Sequence, residues 1–381
     1  MVQFKILAGG FTAFIATYVF DSDRSTLSLT KQNPSGENPS WIAAHPKNAS
    51  ILYAVNEIGP IGNLQSFAVD ATGGLTLVDT VATGGNGPTF TNPLSSGEVT
   101  AANFGSPNAA FIATDPANPA WFIKDNAAST VGFPAAQGES NPHQTLEHNG
   151  EVFVPDLGAD KIWRVGKDAS GNFKVHGQID VAPGSGPRHI AIRDNILFTL
   201  NEVSSTLTAQ PIPQGPNGTA LPLIASASIV PTDFAADFFA AEIVISEPSK
   251  AFPNPIIYVS NRNVNAQSVD PRGDSIAIFE FTAPTPARRM VRRRVDCPRE
   301  VTAPAAAAGG SLTLVKQVFT GLQQIRSFAI GKVADGGDEY LVAAGNKAGG
   351  VAVFKRMNGG KELALVARNT ELESRTSFVF L

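Results

Sequence analysis

PSWIAAHPKNASILYAVNE (39–57) reads as two β-strands and the turn between them. Residues 41–45 form one short run, Pro46, Lys47 and Asn48 make the turn, and 51–56 form an apolar run that ends in Asn56 and Glu57. Two further runs follow at 63–69 and 75–82, set off by Gly59-Pro60 and by Gly73-Gly74. Four strands in about forty residues make one unit of an all-β repeat.

The second run of that unit recurs along the chain. It stands as ILAGGFT (6–12), ILYAVNE (51–57), VTAANFG (99–105), VFVPDLG (152–158), ILFTLNE (196–202), IIYVSNR (256–262) and YLVAAGN (340–346). Successive starts are 45, 48, 53, 44, 60 and 84 residues apart. Most of these gaps suit a four-stranded propeller blade, and the strand patterning excludes a helical solenoid. The expected fold is an all-β, seven-bladed β-propeller in one domain, 1–381. The first unit has no first strand of its own at the N-terminus. RTSFVFL (375–381) is expected to supply it, so that the two ends pair within one blade.

Two gaps are long. One spans 211–240. The other, 285–310, carries five arginines between 288 and 294 and then an alanine run, with no strand alternation. It reads as a solvated Arg/Ala-rich loop inserted in the scaffold.

Composition narrows the class. The chain has 381 residues, 16% of them charged, and a formal net charge of −4, which argues against nucleic-acid or anionic-membrane partners. Its one cysteine, Cys297, excludes a disulfide framework and a cysteine-based zinc site. The apolar stretch 6–20 is broken by Gly9, Gly10 and Thr12 and has a poor basic flank, so it reads as core strands, and a cytoplasmic location is expected.

In a propeller the innermost strands line a channel, and the loops at one end of it converge. The channel positions at the starts of the first strands read Ser40, Thr89, His143, Arg188, Glu242 and Arg326. Those just after the second strands read Glu57, Phe104, Leu157, Glu202, Arg262 and Asn346. Charge is scarce in this chain, so charge at equivalent repeat positions marks a site. His189, next to Arg188, is expected to face away, because neighbours in a strand alternate faces. Asn56, Asn103, Asp156, Asn201 and Asn261 share one repeat position and read as turn caps.

At this point the chain resembles the lactonase family of seven-bladed propellers, which includes propeller-type 6-phosphogluconolactonases and carboxy-cis,cis-muconate cyclase. The resemblance rests on PSWIAAHP, ILYAVNE, AANFGS, NPHQ, FVPDLGADKIWRV, GSGPRHIAI, LFTLNEVSS, AAEIVIS, IYVSNR, DSIAIFEF and RSFAIG, in that order along nearly the whole chain. The chain departs from the family in the Arg-rich insertion, in the region after Asn92, and in having Asn141 where many bacterial members have a second histidine. By motif, the resemblance implies a catalytic group of His143, Arg188, Glu202 and Arg262, without a metal or other cofactor. Glu57, Glu242 and Arg326 are second candidates, for substrate contact.

Physical chemistry supports the same residues. Two guanidiniums can hold a carboxylate or phosphate, and one can stabilise the oxyanion of ring opening. A histidine titrating near neutrality can activate water, with Glu202 as its orienter or as the base itself. The expected function is hydrolysis of a small anionic sugar lactone. The alternatives are a lactonising cycloisomerase acting on a dicarboxylate, a calcium-dependent lactonase using Glu57, Asn103, Asp156, Asn201 and Glu202, and a non-enzymatic binding platform. The oligomeric state is left open.

Overall fold

The computed structural model describes residues 2–124, 129–134, 139–215, 221–233, 237–265, 269–284 and 309–381. Seven antiparallel sheets follow one another around a ring. The first blade joins Arg375–Phe380, Gln3–Gly10, Phe14–Asp21 and Thr26–Pro34, from the axis outward. The second consists of Ile42–His45, Asn48–Asn56, Asn63–Val69 and Leu75–Ala82, close to the strands expected from the sequence.

The remaining blades keep this plan. Their two inner strands are Pro88–Pro93 and Glu98–Asn103, Leu146–His148 and Glu151–Asp156, Pro187–Arg193 and Ile196–Asn201, Phe238–Ile245 and Ile257–Asn263, and Phe328–Ile330 and Tyr340–Ala344. The third blade, where the turn pattern after Asn92 is lost, is irregular. Both Asn118–Phe122 and Ser129–Gly132 pair with its third strand, Asn108–Asp115. The gap 211–240 holds the outermost strand of the fifth blade, Ala225–Ser228. The Arg/Ala-rich stretch lies between the third and fourth strands of the sixth blade, Ser275–Thr282 and Ser311–Phe319. Apart from Gly309 and Gly310, it and Cys297 fall outside the described residues.

Why the second strands are apolar runs, rather than alternating ones, follows from the packing. Each is buried on both faces. Ile51, Tyr53 and Val55 pack on the third blade, while Leu52 and Ala54 pack on the first. Phe153 faces the fifth blade, and its neighbours Val152 and Val154 face the third. Burying a large apolar side chain contributes roughly 1.5–3 kcal/mol. Seven such clusters among the described residues fill the seven interfaces between neighbouring blades.

Turn chemistry fixes the inner strand pairs. Asp194 and Asn195 both take positive φ, 50° and 59°, in the two-residue loop between Arg193 and Ile196. Asn149-Gly150 does the same between His148 and Glu151. These are the residue types a tight hairpin requires.

The ring closes as expected. Ile6 to Gly10 pair antiparallel with Phe380 to Arg375, and Phe378 and Phe380 enter the cluster between the first and seventh blades. Thr376 Oγ1 donates to Ser40 O at 2.7 Å, and Ile42 N donates to Ser377 Oγ at 3.1 Å, tying the last strand to the second blade.

Candidate functional site in the central channel

Register shifts interrupt several innermost strands at their channel ends. One falls between Pro187 and His189, another between Pro88 and Phe90, and a third between Ala240 and Ile243. A bulge inserts a residue, breaks the alternation and re-aims side chains. Arg188 is the inserted residue of the fifth blade, and Thr89 that of the third. In the fourth blade the strand is broken: Pro142 makes an isolated bridge to Asp156, and pairing resumes only at Leu146. His143 sits in that break.

This geometry corrects one expectation. His189 does not face away from Arg188. It is fully buried, its Nε2 is 3.2 Å from His143 Nδ1, and its Nδ1 is 2.9 Å from Glu242 Oε1. The extra residue at Arg188 resets the two-residue alternation, so both neighbours serve the channel.

Glu202 lies between two guanidiniums. Its Oε2 is 2.8 Å from Arg188 Nε and 2.8 Å from Arg262 Nη2. The Arg188 contact has ion-pair distance, yet it lies off the N–H direction, so Nε makes no aligned hydrogen bond. Arg262 Nε is likewise buried without a partner. The arginines also donate to backbone carbonyls, Arg188 to Ala241 and Arg262 to Ala240. Burial, then the charge of Arg262, pushes Arg188 down to about 9, so it still carries its charge at neutral pH.

Arg326 differs from both. Among the described residues it has no hydrogen-bond or ion-pair partner, and its guanidinium lies 5.3 Å from the Phe11 ring. It is near enough to lower the proton affinity of His143, His189 and Arg262 by its charge. Glu57 faces it from the second blade. Burial raises the Glu57 carboxyl, with Arg326 and Ser40 opposing the shift, and Oε2 has no hydrogen-bond partner.

His143 is buried, with Phe104 edge-on at 5.5 Å. Burial holds its imidazole well below 6.5, and the charges of Arg188, His189, Arg326 and Arg262 push the same way. It is therefore neutral at neutral pH and able to accept a proton. Trp41 and Phe90 close the channel against His189, edge-on at 5.3 and 5.5 Å. Neither was singled out as a channel residue in the sequence, although Trp41 follows Ser40 just before one inner strand and Phe90 follows Thr89 on the next.

The structure thus brings His143, Arg188, Glu202, Arg262, Arg326 and Glu57 to one site. Glu242, expected to contact substrate, directs Oε1 to His189 and to the amide of Ile243, behind the histidines. The repeated Asn/Asp position was expected to cap turns; Asp156 does so by accepting from Ala159 N, but most contacts at this position tie together segments distant in sequence. Asn56 donates to Glu37 O, Asn261 to Ser275 Oγ, and Asp156 accepts from Asn141 N and Trp163 Nε1. These side chains are engaged within the protein, and no group of three or more His, Cys, Asp or Glu among the described residues is placed to hold a metal. No helix among them is long and apolar enough to cross a membrane.

The family model described as "Lactonase, 7-bladed beta-propeller" matches residues 5–380. The chain belongs to this family. It is 25% identical over 351 residues to the 6-phosphogluconolactonase of Bacillus subtilis, covering 90% of this chain and 87% of that one. It is 27% identical over 280 residues to the probable 6-phosphogluconolactonase of Arthroderma benhamiae, covering 70% and 67%. A crystal structure of a Lactobacillus plantarum protein superposes with a TM-score of 0.78 at 20% identity, covering all of both chains, which shows the shared fold. As a lactonase-family propeller the chain carries its charged channel residues on the inner strand ends, where the blades converge.

Proposed function

We propose that this lactonase-family chain hydrolyses an anionic sugar lactone of the 6-phosphogluconolactone type. One observation carries the reading: a partnerless guanidinium, Arg326, shares the channel with a clamped pair, Arg188 and Arg262, beside a buried neutral histidine. Arg188 Nε and Arg262 Nε are buried without a hydrogen bond; unsatisfied buried donors are costly, and an anionic substrate supplies acceptors to them and to half-buried Arg326. The relatives from Bacillus subtilis and Arthroderma benhamiae, a 6-phosphogluconolactonase and a probable 6-phosphogluconolactonase, support the same substrate class.

The roles follow from geometry. Glu202, bridging two cations, sets the spacing of Arg188 and Arg262. His143 takes the proton from the attacking water. The hydroxide adds to the lactone carbonyl, whose oxygen becomes an oxyanion facing the unsatisfied arginine N–H groups. Collapse breaks the ring C–O bond, and the proton on His143 passes to the leaving ring oxygen. Arg326 binds the remote anionic group of the substrate.

The test compares hydrolysis of 6-phosphogluconolactone and unphosphorylated glucono-lactone, with and without chelator. We expect chelator-insensitive opening, faster for the phosphorylated lactone. Arg326→Ala is the more informative variant, because it removes a cation that makes no ion pair among the described residues, whereas loss of Arg188 or Arg262 would break an ion pair to Glu202. It is expected to raise KM for the phosphorylated lactone by ~10-fold or more and to leave the unphosphorylated one nearly unchanged. Hydrolysis no faster than the spontaneous rate on both lactones would overturn the reading.

A further inference from the structure

The two histidines and Glu242 form a chain across three blades. Glu242 Oε1 is 2.9 Å from His189 Nδ1, and His189 Nε2 is 3.2 Å from His143 Nδ1. All three side chains are buried, and the rings of Trp41 and Phe90 wall off His189. His189 and Glu242 lie on the innermost strands of the fifth and sixth blades, and His143 in the break before that of the fourth.

We propose that Glu242 and His189 are positioning residues that order the protons behind His143, fixing it as the Nδ1–H tautomer with the Nε2 lone pair as the base. This rests on the proposed role of His143. The order of protons follows from the far end. Glu242 is an acceptor, so His189 must present Nδ1–H to it. In the neutral ring that leaves Nε2 of His189 as an acceptor, which takes the Nδ1–H of His143. The Nε2 of His143 then has no proton and is directed away from His189. In free histidine the tautomers exchange; here the buried carboxylate selects one.

A competing arrangement has His189 doubly protonated, donating to Glu242 and to His143 alike. His143 would then carry its proton on Nε2 and be unable to act as a base. The charged groups around the pair decide between the two. Arg188, Arg262 and Arg326 surround the histidines and disfavour a second proton there, while Glu202 and Glu57 lie against those arginines and Glu242 against His189. Burial lowers His189 most, and with the arginine charges it keeps the proton affinity below the ordinary value despite Glu242. A neutral His189 is favoured.

The contact also accounts for the bulge. With regular alternation at Arg188, His189 would turn toward the neighbouring blade and Glu242 would lie buried without a histidine. The shift between Ala240 and Ile243 serves the same end, placing Glu242 at the channel face of the sixth blade.

Two measurements test this. The first is nitrogen NMR of the full-length wild-type protein with labelled histidine at neutral pH. The expected result is protonated Nδ1 and lone-pair Nε2 on both His143 and His189. A proton on His143 Nε2 would overturn the proposal, and this readout does not depend on any activity. The second uses Glu242→Gln, whose amide can donate to His189 and reverse both tautomers. A folded E242Q protein is expected to lose ~10²-fold or more in kcat with KM changed little, and E242D to recover part of the loss. Unchanged kcat in folded E242Q would overturn the proposal. A wild-type protein without lactone hydrolysis would defeat the functional reading alone, and the tautomers would still decide the relay. If E242Q does not fold, the wild-type NMR decides.

Discussion

A histidine in water is half charged near 6.5, but His143 and His189 are held below that by burial and by the arginines around them. The sign of the consequence is definite. In the unfolded chain both rings bind protons as pH falls through 6.5, while in the folded chain they resist until lower pH. Stability from this source is fully present above the unfolded value and is lost as pH falls toward the depressed folded values. Thermal melting from about pH 8 to about pH 5 should therefore show a falling Tm below pH 6.5, and His143→Asn should flatten part of that slope. Activity gives the same group a second readout. The acidic limb of kcat/KM reports the base of the free protein, so it should lie below 6.5, with a plateau above it until Arg188 begins to lose its charge toward about 9. A limb centred at or above 6.5 would remove His143 as the base. The place of this residue at the channel was legible in the NPHQ motif; its depressed proton affinity was not, because that depends on burial and on three arginines from three other blades.

At the scale of the strand, the readable part was the period and the unreadable part was its interruption. Apolar runs ending in Asn or Asp marked the second strands because double-sided burial demands such runs, and the strands at 63–69 and 75–82 stand as expected. Bulges leave no comparable mark. Nothing in GPRHIA shows that Arg188 is an inserted residue, since a bulge is set by how two strands pair, so strict alternation turned His189 the wrong way. The same close pairing constrains Gly9. A Cβ there would meet Pro39 O at 2.4 Å and Ser377 Oγ at 2.7 Å, against the strand that closes the ring. Gly132, by contrast, would place its Cβ 4.0 Å from the nearest atom, Pro107 O, and its φ is not positive. Gly9→Ala is expected to cost about 1–3 kcal/mol by overpacking, and Gly132→Ala to be close to neutral. Chemical denaturation of the two variants in parallel checks this; equal midpoints would show that the first and second blades do not pack as tightly as described.

For the whole molecule, seven similar interfaces make a ring whose stability depends on there being no free end. The number of blades and the clasp were legible because the first unit visibly lacked a strand that the last seven residues supplied. The outline of the third blade was not, since its outer edge is split between two short strands after the turn pattern is lost. Deleting residues 375–381 should test the clasp most directly. It would expose the Gln3–Gly10 edge, remove Phe378 and Phe380 from the cluster between the first and seventh blades, and free Ser40 and Ile42 from Thr376 and Ser377. The two phenylalanines alone represent roughly 3–6 kcal/mol of apolar burial, a large share of the stability of an ordinary domain. The truncated protein should melt at a much lower temperature and aggregate through its open strand edge. Because Ser40 lies at the channel beside Glu57, activity and fold should be lost together. A peptide of sequence RTSFVFL, added in excess, should raise the Tm of the truncated protein by occupying the vacant place. A truncated protein that melts with the full-length chain would mean that the ring holds without its clasp, and that the interfaces between blades suffice on their own.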